Sequence, residues 1–268
     1  MMATASSLAQ INRFREESLK STSLSFIRNT LVVTIMVTIC LSGIANLTII
    51  DIGISAFFAN DIDGFPLTHH WLTQTVLHLY AARLAALAGL ALIGFNLWQW
   101  ICPSVNNKIA VAARYLMISW VSSVLTIALL KQVTTLPCPW NLKQFGGTVD
   151  YIFIYELFSG IHSAGKCFPA AHASSGYGLI GCGFVALMFG RHIGKGFLLP
   201  LLIGLVYGGA QIVRGAHFIS HDLFTLGICL SLSWFWAEVY LFRSKAFLNE
   251  DTFWGTNRQE LINSDHNS

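Results

Sequence analysis

Cys167-Phe168-Pro169-Ala170-Ala171-His172 ends a polar stretch and opens the apolar, glycine-rich run that continues to Gly190, and the reading of this junction decides the fold. Proline is favoured at the first position of a helix, where free backbone N–H groups and the positive end of the dipole suit an anion. A histidine beside such a start can move protons near neutral pH. The junction therefore predicts a membrane helix that begins at a polar, chemically active site.

The composition agrees with a membrane reading. Of 268 residues, 54% are hydrophobic, 13% aromatic and only 11% charged, with a mean hydropathy of +0.59, far from the balance of a water-soluble domain. The net charge of +3 includes no basic cluster interleaved with aromatics, so nucleic acid is not an expected partner. Six cysteines are too few and too scattered for a disulfide scaffold. Cys40, Cys182 and Cys229 fall in apolar runs and read as packing residues, whereas Cys138 and Cys167 share one polar loop.

Outward from the junction, the pattern predicts an all-α polytopic membrane protein with six transmembrane helices: about 31–50, 77–101, 109–130, 169–190, 197–215 and 223–241. The first reads as a signal anchor that is kept, because no small-residue cleavage site follows a short apolar core. Residues 1–30 form an N-terminal segment that is either an interfacial helix or a disordered tail. Residues 31–242 form one six-span domain, and 243–268 a polar tail. With both termini cytoplasmic, the inner segments hold Arg13, Arg15, Lys20, Arg28, Lys108, Arg114, Arg191, Lys195, Arg243, Lys245 and Arg258, eleven of the sixteen basic residues. The five outer ones are Arg83, Lys131, Lys143, Lys166 and Arg214. The outer loop 131–168 is too long for a simple connector and is expected to be functional.

This topology brings three stretches to the outer face: Lys131 through Cys138-Pro139-Trp140, Pro169 to His172, and Arg214-Gly215-Ala216-His217 with His221-Asp222. Their order and spacing resemble the type 2 phosphatidic acid phosphatase family of membrane phosphatases, with motifs Lys-x6-Arg-Pro, Pro-Ser-Gly-His and Ser-Arg-x5-His-x3-Asp. The resemblance spans residues 131 to 222. Lys131, Pro169, His172 and His217 match; Cys138 stands for arginine, Ala170 and Ala171 for Ser-Gly, Gln211 for arginine and His221 for aspartate. Helical spacing puts Arg214 on the same face as Gln211, so it can reach a phosphate held at His217, and puts His221 one turn above His217, within hydrogen-bond reach.

The resemblance implies a phosphatase acting through a phosphohistidine. His217 is the expected nucleophile, His172 the acid and base, and His221 the partner of His217. Lys131, Arg214 and the backbone N–H groups of Ala170 and Ala171 would neutralise the phosphoryl oxygens. Lys166 either binds phosphate or solvates the loop. Arg83 either faces the same pocket or snorkels to the interface. Cys138 and Cys167 are expected either to pair as a disulfide or to remain free thiols. Neither a cofactor nor a metal is expected, and no obligatory protein partner is evident.

The expected substrate is a lipid phosphate or lipid diphosphate, because an interfacial site between apolar helices admits a tail from the side. Undecaprenyl diphosphate, phosphatidic acid, phosphatidylglycerol phosphate and lipid A phosphate all fit. The expected location is a bacterial inner membrane with the site facing the periplasm. Two rivals stand beside this reading. One is a catalytically inactive relative or polytopic lipid-binding protein; the other is a haem or metal protein using His217 and His221. The second lacks a matching pair elsewhere, since His69 and His70 are adjacent and His78 is isolated.

Overall fold

The computed structural model describes residues 25, 28–60, 64–103, 106–156 and 165–244. The described residues from 35 onward belong to one compact unit; residues 28–34, which are helical, fall outside it. The expected surface helix within 1–30 and nearly all of the polar tail lie outside the described residues.

The fold is all-helical among the described residues. Five helices are long and apolar enough to cross a membrane: α1 (Arg28–Leu47), α3 (Leu72–Ile101), α4 (Asn107–Val133), α7 (Ile193–Val213) and α8 (Ile219–Leu241). A short helix, α2 (Ile50–Phe58), follows α1 where the sequence reads as an outer connector. Its Asp51 is fully buried at 0% exposure, so this acid is a packed structural group.

The stretch expected as the fourth span is built in two pieces, α5 (Ala171–Tyr177) and α6 (Gly181–Met188), joined by a tight 3-10 turn at Gly178–Ile180. Neither piece has the length of the other spans. Glycine explains both the break and the packing. A methyl group on Gly176 would meet the backbone of Gly204 in α7, one on Gly183 would meet Phe197, and one on Gly204 would meet the Tyr177 ring. Gly204 thus lets α5 and α7 touch closely, as small residues do between membrane helices, while Gly208 leaves room for the Asp222 side chain of α8.

Two other expectations change. α7 ends at Val213, and α8 starts at Ile219 rather than near Leu223. Arg214 and His217 therefore do not share a helix face. They sit in the reversal between α7 and α8, whose shape is a C-terminal glycine motif: the Gly215 N–H bonds Ile212 O at 3.0 Å and the Ala216 N–H bonds Gln211 O at 2.9 Å, with Gly215 at φ +73°. Only glycine fits, since a Cβ there would also run into the Phe65 ring.

Candidate active site

The chain directions place the site at one end of the bundle. α4 and α7 end there with Lys131 and Arg214, while α3, α5 and α8 begin there. At that end lies a cavity of about 620 Å³ whose walls include Lys131, Ala171, His172, Arg214 and His217. Four of the charged or titratable residues singled out from the sequence are thus drawn from three separate stretches into one space.

The described part of the loop between α4 and α5 lies against this cavity, with Cys138, Trp140 and Cys167 in its wall. Leu136, Ile152 and Phe168 form a small apolar core that Ile154 and Phe224 extend. The Cys167 N–H bonds Leu136 O at 3.1 Å, and the Thr134 hydroxyl donates to Phe168 O. Cys138 and Cys167 lie side by side in disulfide arrangement with Cα atoms 5.3 Å apart, and both line the cavity. The Trp140 N–H bonds Gly215 O at 3.0 Å, tying the first motif to the third.

His217 is 5% exposed, and its Nδ1 has no hydrogen-bond partner among the described residues. Burial holds its imidazole well below the ordinary histidine value, and neighbouring Lys131 and His221 push the same way. The ring is therefore neutral at neutral pH, the form a nucleophile needs. His221 does not hydrogen-bond it. The two rings meet edge to face with centroids 5.8 Å apart, and His221 is wedged 5.2 Å from both Phe168 and Phe218. Neither of its ring nitrogens has a partner among the described residues. The cause is the reversal before α8: His217 precedes the helix that holds His221, so the two positions are not one helical turn apart.

His172 is oriented from α3. Its Nε2 donates to Leu77 O at 2.7 Å, so Nδ1 is the ring nitrogen that could exchange a proton. Arg214 is clasped by Thr68, whose carbonyl accepts from Nε at 3.1 Å and whose hydroxyl donates back to Arg214 O at 2.9 Å. The rest of the guanidinium bonds Gln211 Oε1 at 3.2 Å and the Gln74 side chain. Gln211, which stands at the family's arginine position, in turn donates from Nε2 to His78 Nδ1 at 3.3 Å.

Gln74, Leu77 and His78 escaped motif reading. All three lie in the first turns of α3, Leu72–Tyr80, which are π-helical. Such wide turns concentrate at functional sites. The available signal was a pair of polar side chains, Gln74 and His78, at the mouth of an otherwise apolar span.

Three groups weighed for the phosphate site, one as a backbone donor and two with an alternative role, stay off the cavity. Ala170 is fully buried and its N–H points to His221 O at 3.4 Å, so it is not a free donor. Lys166 is exposed and bonds Gln132 Oε1 at 3.1 Å. Arg83 is exposed, with its guanidinium 6.0 Å from the Tyr80 ring centre. Among the described residues no group of three or more His, Cys, Asp or Glu is placed to hold a metal.

Behind the cavity, Asp51 caps α8 from a distant part of the chain. Its carboxylate accepts from the Ser220 N–H at 3.0 Å and the Ser220 hydroxyl at 2.5 Å, satisfying a first-turn donor of α8. Tyr151 adds a contact at 3.0 Å and Ser42 bonds Ser220 O at 2.8 Å. Burial raises the Asp51 carboxyl above the ordinary range, opposed by these donors, and burial beside Asp51 keeps Tyr151 a phenol. The network fixes where α8 begins, and with it the reversal that carries His217.

Neither a curated protein nor a solved structure matches the chain. The family model described as the PAP2 superfamily matches residues 112–245, half of the sequence, and takes in most of α4, the loop over the cavity and α5 to α8. The chain belongs to the PAP2 superfamily, and its long apolar helices make it a membrane protein of that phosphatase class.

Proposed function

We propose that the protein hydrolyses a lipid phosphate or lipid diphosphate through a phosphohistidine on His217. The observation that carries this reading is the meeting of Lys131, His172, Arg214 and His217 in one cavity. His217 attacks phosphorus as the bond to the lipid oxygen breaks. The electron pair leaves with that oxygen, which takes the proton from His172 Nδ1. His172, now neutral, accepts a proton from water as the water attacks the phosphohistidine; phosphate leaves and both rings are restored. Through both steps the Leu77 carbonyl can hold the Nε2–H. Lys131 and Arg214 neutralise the phosphoryl oxygens, and Ala171 adds a wall at the start of α5.

A lipid substrate is supported by the walls opposite the charges, where Ala82, Ala85, Ala86, Trp120 and Val124 continue the cavity between α3 and α4. These small and apolar side chains fit a hydrocarbon tail better than a soluble phosphate's polar remainder. Undecaprenyl diphosphate, phosphatidic acid, phosphatidylglycerol phosphate and lipid A phosphate share the required chemistry. With α5 and α6 counted together as a sixth span, both termini are cytoplasmic and the cavity opens to the periplasmic side of an inner membrane. The Cys138–Cys167 pairing at the cavity wall supports an oxidising compartment.

Phosphate release from a panel of these lipids by the purified protein tests the reading. Loss of the nucleophile in His217→Ala should lower kcat by roughly 10⁴-fold or more, and loss of proton transfer in His172→Ala by about 10²–10⁴-fold. A wild type that releases no phosphate from any of them would leave an inactive or lipid-binding relative as the better description.

A further inference from the structure

The cavity holds a third histidine that no motif of the family accounts for. His78 lines the same wall as His172, with ring centroids 4.9 Å apart and planes tilted by 54°. Its protonation is fixed by its neighbour. A glutamine Nε2 can only donate, so the 3.3 Å contact from Gln211 makes His78 Nδ1 an acceptor. The orientation of Gln211 is fixed as well, because its Oε1 accepts from Arg214 at 3.2 Å. The neutral His78 ring must then carry its proton on Nε2, as an N–H donor on a cavity wall. This arrangement answers a deficit, since the chain has Cys138 and Gln211 where the first and third motifs carry arginine.

We propose that His78 is a catalytic residue whose Nε2–H donates to a phosphoryl oxygen of the bound phosphate, with Gln211 holding its tautomer and Arg214 supplying the neighbouring charge. The inference rests on the phosphatase reading above. Gln211 is then the bridge that makes one unit of a guanidinium and an imidazole in place of a missing arginine. The wide turns of α3 matter because they bring His78 and Gln74 to the same cavity end. A preorganised donor aimed at developing phosphoryl charge is worth about 10²–10³-fold in rate.

The test compares wild type with His78→Ala, His78→Gln and His78→Asn, measuring lipid phosphate hydrolysis and, separately, calorimetric binding of inorganic phosphate. A glutamine amide reaches the place of Nε2 and keeps the donor; an asparagine amide reaches only the place of Nδ1, opposite the Gln211 donor. Expected are a drop in kcat of about 100-fold for alanine and asparagine, a loss within about tenfold for glutamine, and phosphate affinity falling in the same order. Alanine activity and phosphate affinity within about threefold of wild type would overturn the proposal. So would glutamine and asparagine variants that fold, by thermal unfolding, and are equally impaired. If alanine does not fold, the glutamine–asparagine contrast decides alone. Should wild type bind inorganic phosphate in this His78-dependent order yet hydrolyse no lipid, the role of His78 as a phosphate donor stands and the hydrolase reading falls.

Discussion

The reversal between α7 and α8 and the first turns of α3 meet in one cavity, yet they announce themselves differently in the sequence. The reversal carries Arg214, Gly215 and His217 within four positions, and its spacing matches a family motif apart from the displaced arginine and His221 in place of aspartate. The start of α3 has no motif, yet Leu77 orients His172, Gln74 holds Arg214 and His78 engages Gln211. In the proposed reaction the reversal presents the nucleophile and a cation, while the start of α3 sets their direction and adds the His78 donor. A positioning segment needs only a carbonyl or an amide at the right place, so its residue types are less constrained and leave a weaker trace.

The largest effect should come from breaking the reversal itself. Gly215→Ala places a Cβ at φ +73° against the Phe65 ring, so the C-terminal motif of α7 must open or Phe65 must move. Strain of this kind costs of order 1–3 kcal/mol. Because His217 lies two residues on, kcat should fall by about 100-fold or more, a misplacement near 1 Å being worth that much. Kinetics alongside thermal unfolding in detergent check it, and wild-type turnover in Gly215→Ala would show that the turn does not set the nucleophile.

The supporting region can be broken next. Gln74→Leu removes one acceptor from the Arg214 guanidinium while Thr68 and Gln211 remain. The loss of one bond to a charged group is about 1.5–3 kcal/mol, or roughly 10–150-fold in kcat/KM if the arginine no longer meets phosphate. Asp51→Asn acts from further away, by setting an amide against the Ser220 donors at the start of α8. Loss of such a cap costs about 0.5–2 kcal/mol of stability. The expected outcome is a lower thermal midpoint with a fall in kcat of no more than about tenfold and KM little changed.

The same contrast sorts what could be read from the sequence. The all-helical fold was legible because long apolar runs have few alternatives in a membrane. The convergence of Lys131, His172, Arg214 and His217 was legible because motif order carries it. Helix ends were not. Placing Arg214 and His217 on one helix assumed that α7 ran through a glycine, which instead closes it, and the His217–His221 hydrogen bond failed with that assumption. The part played by Asp51 left no trace, because burial of a carboxylate depends on Ser220 and Tyr151, which are remote in sequence. The fourth span was found as a position but not as a broken helix, since glycine content alone does not say which partner comes close.

The smallest effect concerns protonation, and it separates a buried nucleophile from a solvated one. A histidine with an ordinary value near 6.5 would be about three-quarters protonated at pH 6, and a nucleophile of that kind would lose about fourfold in kcat/KM between pH 7.5 and pH 6. Burial lowers the His217 value well below this, because the charged ring is the form that desolvation disfavours. A lowered value means that the proton is bound only at more acid pH, so the ring stays neutral through that interval. The kcat/KM profile should therefore show no fourfold loss assignable to His217 on acidification to pH 6, whereas His172, which must begin protonated to serve as an acid, can only gain over the same range. A profile that falls fourfold to pH 6 in wild type, and equally in Gln74→Leu, would place the nucleophile in contact with water and contradict the packed reversal from which the comparison starts.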